Sequence, residues 1–246
     1  MATEAHSPLE QFKIEELIPL KIGGVNAAFT NSSLWMVIAI LAITLFLTLS
    51  MRGRALVPGR WQAMAEMSYE FIANLVRDNV GSEGRKYFPF IFTLFMFVLF
   101  CNVFGLIPYA FTVTSHIIVT LALALIVFIG VTIIGIVRHG RHFLSLFVPS
   151  GVPIFLLPLI VIIEFLSYLT RPISLSVRLF ANMMAGHTML KVFAGFVVGL
   201  GIWLGWLPLA FIVALTALEL VIAILQAYVF AILTCIYLND AINLHH

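Results

Sequence analysis

Glu164, Arg171, Arg178, His187, Lys191, Glu219 and Gln226 stand in the last third of a 246-residue chain, where nearly everything around them is apolar. Holding a charge in the middle of a lipid bilayer costs from ~3 to over 10 kcal/mol, depending on the assay. Groups kept there usually face a cavity, a counter-ion or an ion path. Arg178 is the most demanding, because arginine does not shed its proton in a protein. Ser174, Arg178, Ala181, Asn182 and Ala185 recur at steps of three and four, which places them on one side of a helix. Small residues on such a face let another helix approach closely. Asn182, one turn away, can accept a hydrogen bond from the guanidinium. The plainer alternative is an arginine snorkelling from a helix end, or a static ion pair.

His187 lies nine residues from Arg178, which at about 100° per residue is the opposite face of the same helix. Glu219 and Gln226 are seven apart and share a side, with Tyr237 eleven further on and nearly in line. A buried Glu and a buried His on separate helices can pair and pass protons. A structural ion pair is the competing reading. Gly195, Gly199, Gly201 and Gly205 have helix-packing spacing but fall in a region that reads as a turn. His139 and His142 have no carboxylate beside them, so a basic loop is simpler than a metal site. No GxxxxGK[ST], GxSxG or HExxH pattern is present, and neither a cofactor nor a metal is expected. Any nucleotide chemistry belongs to another chain.

The elements that position these groups follow from composition. Hydrophobic residues make up 62% of the chain and charged ones 10%, against roughly 25% charged in soluble domains. So few charges cannot cover a soluble surface, which excludes an ordinary cytosolic enzyme and a disordered chain, and the net charge of +2 argues against a nucleic-acid partner. Cys101 and Cys235 sit in apolar runs and read as core thiols. The fold class is therefore an all-α integral membrane protein.

Residues 1–33 form a polar external segment, and residues 34–246 a single transmembrane helical domain. Spans are expected at 34–51, 87–109 and 116–137. Residues 60–78 carry Trp61, Met64, Ala65, Ser68, Ile72 and Leu75 at helical spacing, with Gln62, Glu66, Glu70 and Arg77 on another side. That pattern fits an amphipathic helix in the interface, or a short helix covering another. From 152 to 200 the apolar character hardly stops, which as one helix is about 70 Å long, over twice a membrane's thickness. Two spans broken near Arg171-Pro172, or one strongly tilted helix, both satisfy it. The last helix, 207–238, is also over-long. Segment 52–86 carries six Lys and Arg, loop 138–151 two and turn 110–115 none. The two basic segments are therefore cytoplasmic and the N-terminal tail outside.

The runs PISLSVRLFANMMAGH (172–187) and ELVIAILQAYVFAIL (219–233) closely resemble subunit a of F-type ATP synthases. IIEFLSYLTRP (162–172) and FCNVFGLIP (100–108) fit the same family. The arginine of the family's RLFxN element is Arg178 here. The His187 and Glu219 combination resembles the alphaproteobacterial and mitochondrial branch, other members showing the two types exchanged. Asn102 matches the family, whereas Gly105 stands where some relatives have an acidic residue.

The resemblance implies about five membrane crossings, including a long, strongly tilted C-terminal helical hairpin against a ring of c subunits, with the C-terminus cytoplasmic. It implies a proton-conducting stator with two half-channels, itself without nucleotide chemistry. Its partners would be the c-subunit ring, b-type peripheral-stalk subunits, the rest of the F1Fo complex and membrane lipid. Arg178 would be the obligatory cation, with Glu164, His187 and Glu219 in the outer half-channel and Asn182 and Gln226 lining or orienting the arginine's site. Asn102, Ser174, Arg171, Lys191 and Tyr237 are lesser candidates. No Arg-rich, acid-poor leader opens the chain, which points to a bacterial inner membrane. A self-contained transporter or channel, and a structural assembly subunit, are the competing functions. The former usually carries inverted repeats, and none is evident.

Overall fold

The computed structural model describes residues 12–19, 21–22, 25–26, 28–53, 55, 57–107, 110–140, 143 and 155–243. Arg54, the end of the 87–109 span (Pro108 and Tyr109), Arg141, His142 and the first residues of the 152–200 stretch lie outside the described residues.

The polar N-terminal segment holds four short strands: β1 (Glu16–Ile18), β2 (Lys21–Ile22), β3 (Val25–Asn26) and β4 (Phe29–Thr30). β1 pairs with β4 and β2 with β3, both antiparallel, so the two ladders nest. Helix α1 (Asn31–Met51) follows directly. It starts three residues before the apolar run because the Thr30 side chain caps it, accepting from the Ser33 amide. Asn31 ties the strands to this helix end: its backbone N–H donates to Glu15 O and its side-chain Nδ2 to Lys13 O, each at 3.1 Å.

Helix α2 (Arg60–Val80) is amphipathic, with Ala65, Ile72, Leu75 and Val76 buried. Its first turn departs from the expected face. Gln62 is buried and Trp61 and Met64 are exposed. The cause is local: the Gln62 amide bonds both the N–H (3.3 Å) and the C=O (3.2 Å) of Ala55, bracing the chain as it enters the helix. Helix α3 (Phe88–Gly105) and helix α4 (Ile117–His139) are predominantly apolar.

Helix α5 (Leu157–Leu204) passes through Arg171-Pro172 without interruption, so the long apolar stretch is one helix rather than two spans. It is broken at Gly201, whose φ of 65° an L side chain rarely adopts. Helix α6 (Trp206–Ile242) begins one residue after Gly205, where an added Cβ would stand 2.5 Å from Gly201 O. These two glycines serve the turn and not a helix-dimer motif. Trp203 (89% exposed) and Trp206 (65%) flank it, as amphipathic rings do at a membrane surface. Five helices, α1 and α3 to α6, are long and apolar enough to cross a membrane.

The described residues gather into two compact units. The first comprises residues up to Ala65, Met96–His116 and Leu179–Ala227, and the second Glu66–Phe95, Ile117–Arg178 and from Tyr228 on. In the first, Val98, Cys101, Leu179, Met183, Ala223 and Ala227 are buried. In the second, Ile72, Ile91, Val127, Leu175, Phe230, Ala231 and Cys235 are. Both cysteines are free. Alanines at the contact faces let helix axes approach closely.

Candidate functional site

Within the first unit, α5 and α6 run antiparallel, and successive contacts mark the pairing. The rings of Phe193 and Phe211 stack at 5.8 Å. The Glu219 carboxyl lies against Gly186, with its Oε1 where a Cβ at 186 would stand. The Asn182 Nδ2 donates to Gln226 Oε1 at 3.0 Å. From the third side, Asn102 of α3 donates its Nδ2 to the Ala223 carbonyl at 3.2 Å, between Glu219 and Gln226 in α6. His187, next to Gly186, shares a hydrogen bond of 3.1 Å with Thr112 Oγ1.

Thr112 reaches His187 because α3 ends in Gly105. A Cβ there would come within 2.8 Å of the threonine's methyl group. Thr112 therefore occupies the space that a side chain at 105 would need. This threonine lies in no motif and carries no periodic signal, so sequence reasoning passed over it. Its cue was a hydroxyl in a run (Ala110–Ser115) between two apolar helices.

His187 and Glu219 are each 9% exposed, Gln226 4% and Asn102 0%. Glu219 Oε2, Gln226 Nε2 and Asn102 Oδ1 are buried with no hydrogen-bond partner among the described residues. Buried polar atoms in native proteins are rarely left without a partner, water included. His187 and Glu219 do not form a direct hydrogen bond among the described contacts; they are neighbours through Gly186.

A cleft of about 900 Å³ opens beside this series. Lys13, Glu15 and Asn31 stand at its rim, and Thr112, His187 and Lys191 line its wall. It is large enough to hold water, and it offers polar partners. The cleft thus adjoins His187, which is followed along the α5–α6 pairing by Glu219, against Gly186, and by the Asn182–Gln226 pair.

The second unit holds another polar group. Arg171 forms an ion pair with Asp240 at 2.9 Å and lies over the rings of Tyr168 (5.4 Å) and Tyr237 (5.1 Å). Tyr168 shares a 2.7 Å hydrogen bond with Thr132 of α4. Asp240 was not singled out from the sequence, because an acid near a chain end reads as solvated. Glu164 also belongs to this unit.

Arg178 is exposed, as are Ser174, Ala181, Asn182 and Ala185, so the small-residue face of α5 is uncovered in the isolated chain. Among the described residues no carboxylate pairs with Arg178. His187, on the opposite side of the helix, is buried. No group of three or more His, Cys, Asp or Glu able to hold a metal is found among the described residues.

Long apolar helices that bury a histidine, a glutamate and two amides beside a cleft, and leave an arginine bare, define a polytopic membrane protein built for ion movement. Comparison with known proteins names the kind. Residues 33–239 match the ATP synthase A chain family. The ATP synthase subunit a of Pelagibacter ubique is 62% identical over 98% of this chain and all of that protein. Those of Parvibaculum lavamentivorans and Paramagnetospirillum magneticum are each 62% identical over 97% of this chain, and over 94% and 99% of their own length. The chain belongs to the ATP synthase subunit a family, the proton-translocating stator of the Fo sector, and is a multi-pass membrane subunit of the ATP synthase complex.

Proposed function

We propose that the chain carries two proton half-channels that meet the rotating c-subunit ring at the bare face of α5. The single observation that carries this reading is the buried series leading from the cleft through His187 and Glu219 to the Asn182–Gln226 pair. The cleft is bordered by the N-terminal segment and the 106–112 connection. Both precede an odd number of crossings from the basic loops, so by the positive-inside rule they face the periplasm. Protons enter there, and a c-ring carboxyl collects them beside Asn182. Arg178 then pairs transiently with the emptied carboxylate, which is costly to leave bare in a membrane. Its fixed charge also blocks a direct leak between the half-channels. Asn182 donates its N–H to Gln226, so its Oδ1 remains free to accept from the guanidinium.

Glu164, which the resemblance puts at the outer half-channel, stands two turns into α5, directly after the basic 138–151 loop, and belongs to the second unit. In this reading it lines the inner half-channel, towards which Ser174 also points on the exposed side of α5. The peripheral-stalk b subunits hold the chain against rotation, the nucleotide chemistry is done by other subunits, and the membrane is a bacterial inner membrane with the C-terminus cytoplasmic.

ATP-driven acidification of inverted vesicles tests the reading. Arg178→Ala and Arg178→Lys should each abolish pumping while the complex still assembles. Pumping that survives Arg178→Ala would sink the mechanism and leave Arg178 a structural charge.

A further inference from the structure

A second groove, of about 660 Å³, lies within the second unit on the side of the basic loops. It is built by a sharp reversal of the chain. Helix α2 stops at Gly81, whose φ of 78° favours glycine, and a 3-10 turn (Ser82–Lys86) leads back to α3. Gly84 makes the reversal tight, since a Cβ there would stand 2.7 Å from Val80 Cβ and 2.8 Å from Val76 Cγ1. Arg85 is thereby returned to the groove that Arg77 lines, one turn before the end of α2.

The floor is apolar and aromatic. Tyr69 packs edge-on to Phe88 at 4.7 Å, and Ala73 leaves the space between them and the rim open. The rim carries Arg77, Ser82 and Arg85, all exposed. Among the described residues neither arginine has an ion-pair partner. The nearby acid Glu83 is engaged by Arg138 at 3.0 Å and Lys86 at 4.0 Å, and neither it nor Asp78 lines the groove. Two unneutralised guanidinium groups beside a hydroxyl suit a phosphate, which arginine can grip with paired N–H donors. An aromatic trough leading away from them suits an acyl chain.

We propose that this groove binds an anionic phospholipid, its phosphate held by Arg77, Arg85 and Ser82 and the start of its acyl chains laid over Tyr69, Ala73 and Phe88. Basic pockets at the cytoplasmic ends of membrane helices recognise lipid headgroups in this way. The site shares no residue with the proposed proton path and stands whether or not the half-channel assignment holds.

The test uses the whole F1Fo complex in phosphatidylcholine vesicles doped with photoreactive phosphatidylglycerol below saturation, with photoreactive phosphatidylcholine as the parallel arm. Label should fall within residues 69–89 for the phosphatidylglycerol probe alone. Arg77→Gln with Arg85→Gln should reduce it about 25-fold, taking each near-surface arginine as a contribution of roughly fivefold. Ala73→Leu keeps both charges, and with them the membrane orientation, but fills the trough; it should also reduce labelling strongly. That variant decides the matter if the double substitution fails to insert. Equal labelling by both probes, labelling unchanged in Ala73→Leu, or displacement of the phosphatidylglycerol probe by inorganic phosphate would each overturn the proposal.

Discussion

Gly186→Ala is the most direct probe of how the proposed proton path is built. The ideal Cβ at 186 would stand 2.8 Å from Glu219 Cδ and 3.1 Å from Cγ, with Oε1 closer still. Ordinary carbon–carbon contact is about 3.5–4.0 Å, so the carboxyl must retreat by roughly 1 Å or the helices must part. Overfilling a close contact costs about 1–3 kcal/mol of stability. A displacement of that size at a reacting group can cost about 100-fold in rate. The substituted chain should therefore assemble into the complex, yet pump protons into inverted vesicles about 100-fold more slowly. Glu219→Asp shortens the side chain by one methylene and opens the space a Cβ needs. The double substitution Gly186→Ala with Glu219→Asp should thus run faster than the product of the single effects predicts. The coupling between the two should amount to about 0.5–3 kcal/mol. Passive proton conduction through F1-stripped vesicles gives the same comparison without ATP hydrolysis. Native pumping in Gly186→Ala, or strictly additive effects in the cycle, would refute the placement of the Glu219 carboxyl against Gly186.

Other expectations can be checked independently. Cys101 and Cys235 are buried, so a single added cysteine can be read cleanly. Ala194→Cys and Thr216→Cys, both lining the cleft, should react with a membrane-impermeant maleimide applied from the periplasmic side, whereas the fully buried Ala223→Cys should not. Breaking the Arg171–Asp240 pair with Arg171→Met should lower the thermal midpoint of the complex, because it strands a partly buried carboxylate at a cost of about 1–3 kcal/mol, below the figure for fully buried pairs. Adding Asp240→Leu should recover most of that loss. Glu83 lies outside the membrane spans, and its hydrogen bond from Arg138, with the charges of Arg138 and Lys86, holds its carboxyl below the ordinary value of 4.5. Its folded-state value is depressed, so the contribution is present above pH 4.5 and lost as pH falls towards the folded-state value. The thermal midpoint should therefore decline more in the native chain than in Glu83→Gln as pH drops below 4.5, with a constant difference above it.

The residues legible in the sequence were those whose presence in lipid is expensive. Arg178, His187, Glu219 and Gln226 stand out against an apolar background, and helical spacing alone separates the arginine's face from the histidine's. What escaped was ordinary by composition. Thr112 is one hydroxyl in a connection, and it matters because Gly105 leaves room for it. Gln62 read as the polar side of α2, but its amide is occupied by the backbone of Ala55. The nested strands have arms of two or three residues, too short for a period-two pattern, and Gly23-Gly24 between Ile22 and Val25 was the available cue. Pro172 was ambiguous because its cost to a helix is about 3 kcal/mol, which packing can outweigh. Leu175 and Ser176, buried one turn later, supply that packing, and the helix continues.

The contrast between two arginines on one helix supports the proposal that Arg178, and not Arg171, meets the ring. Arg171 and Arg178 are seven residues apart on α5 and would share a stripe on an ideal helix. Arg171 has its charge met by Asp240 and its flat faces covered by Tyr168 and Tyr237. A passing carboxylate has to displace a 2.9 Å ion pair to reach it. Arg178 has no such partner among the described residues. Its neighbours on that face are a serine, an asparagine and alanines, so a moving helix can come close without a side chain in the way. A fixed cation is useful to a rotating partner when it is unpaired at rest and only briefly paired in passing, and of the two arginines Arg178 meets that condition.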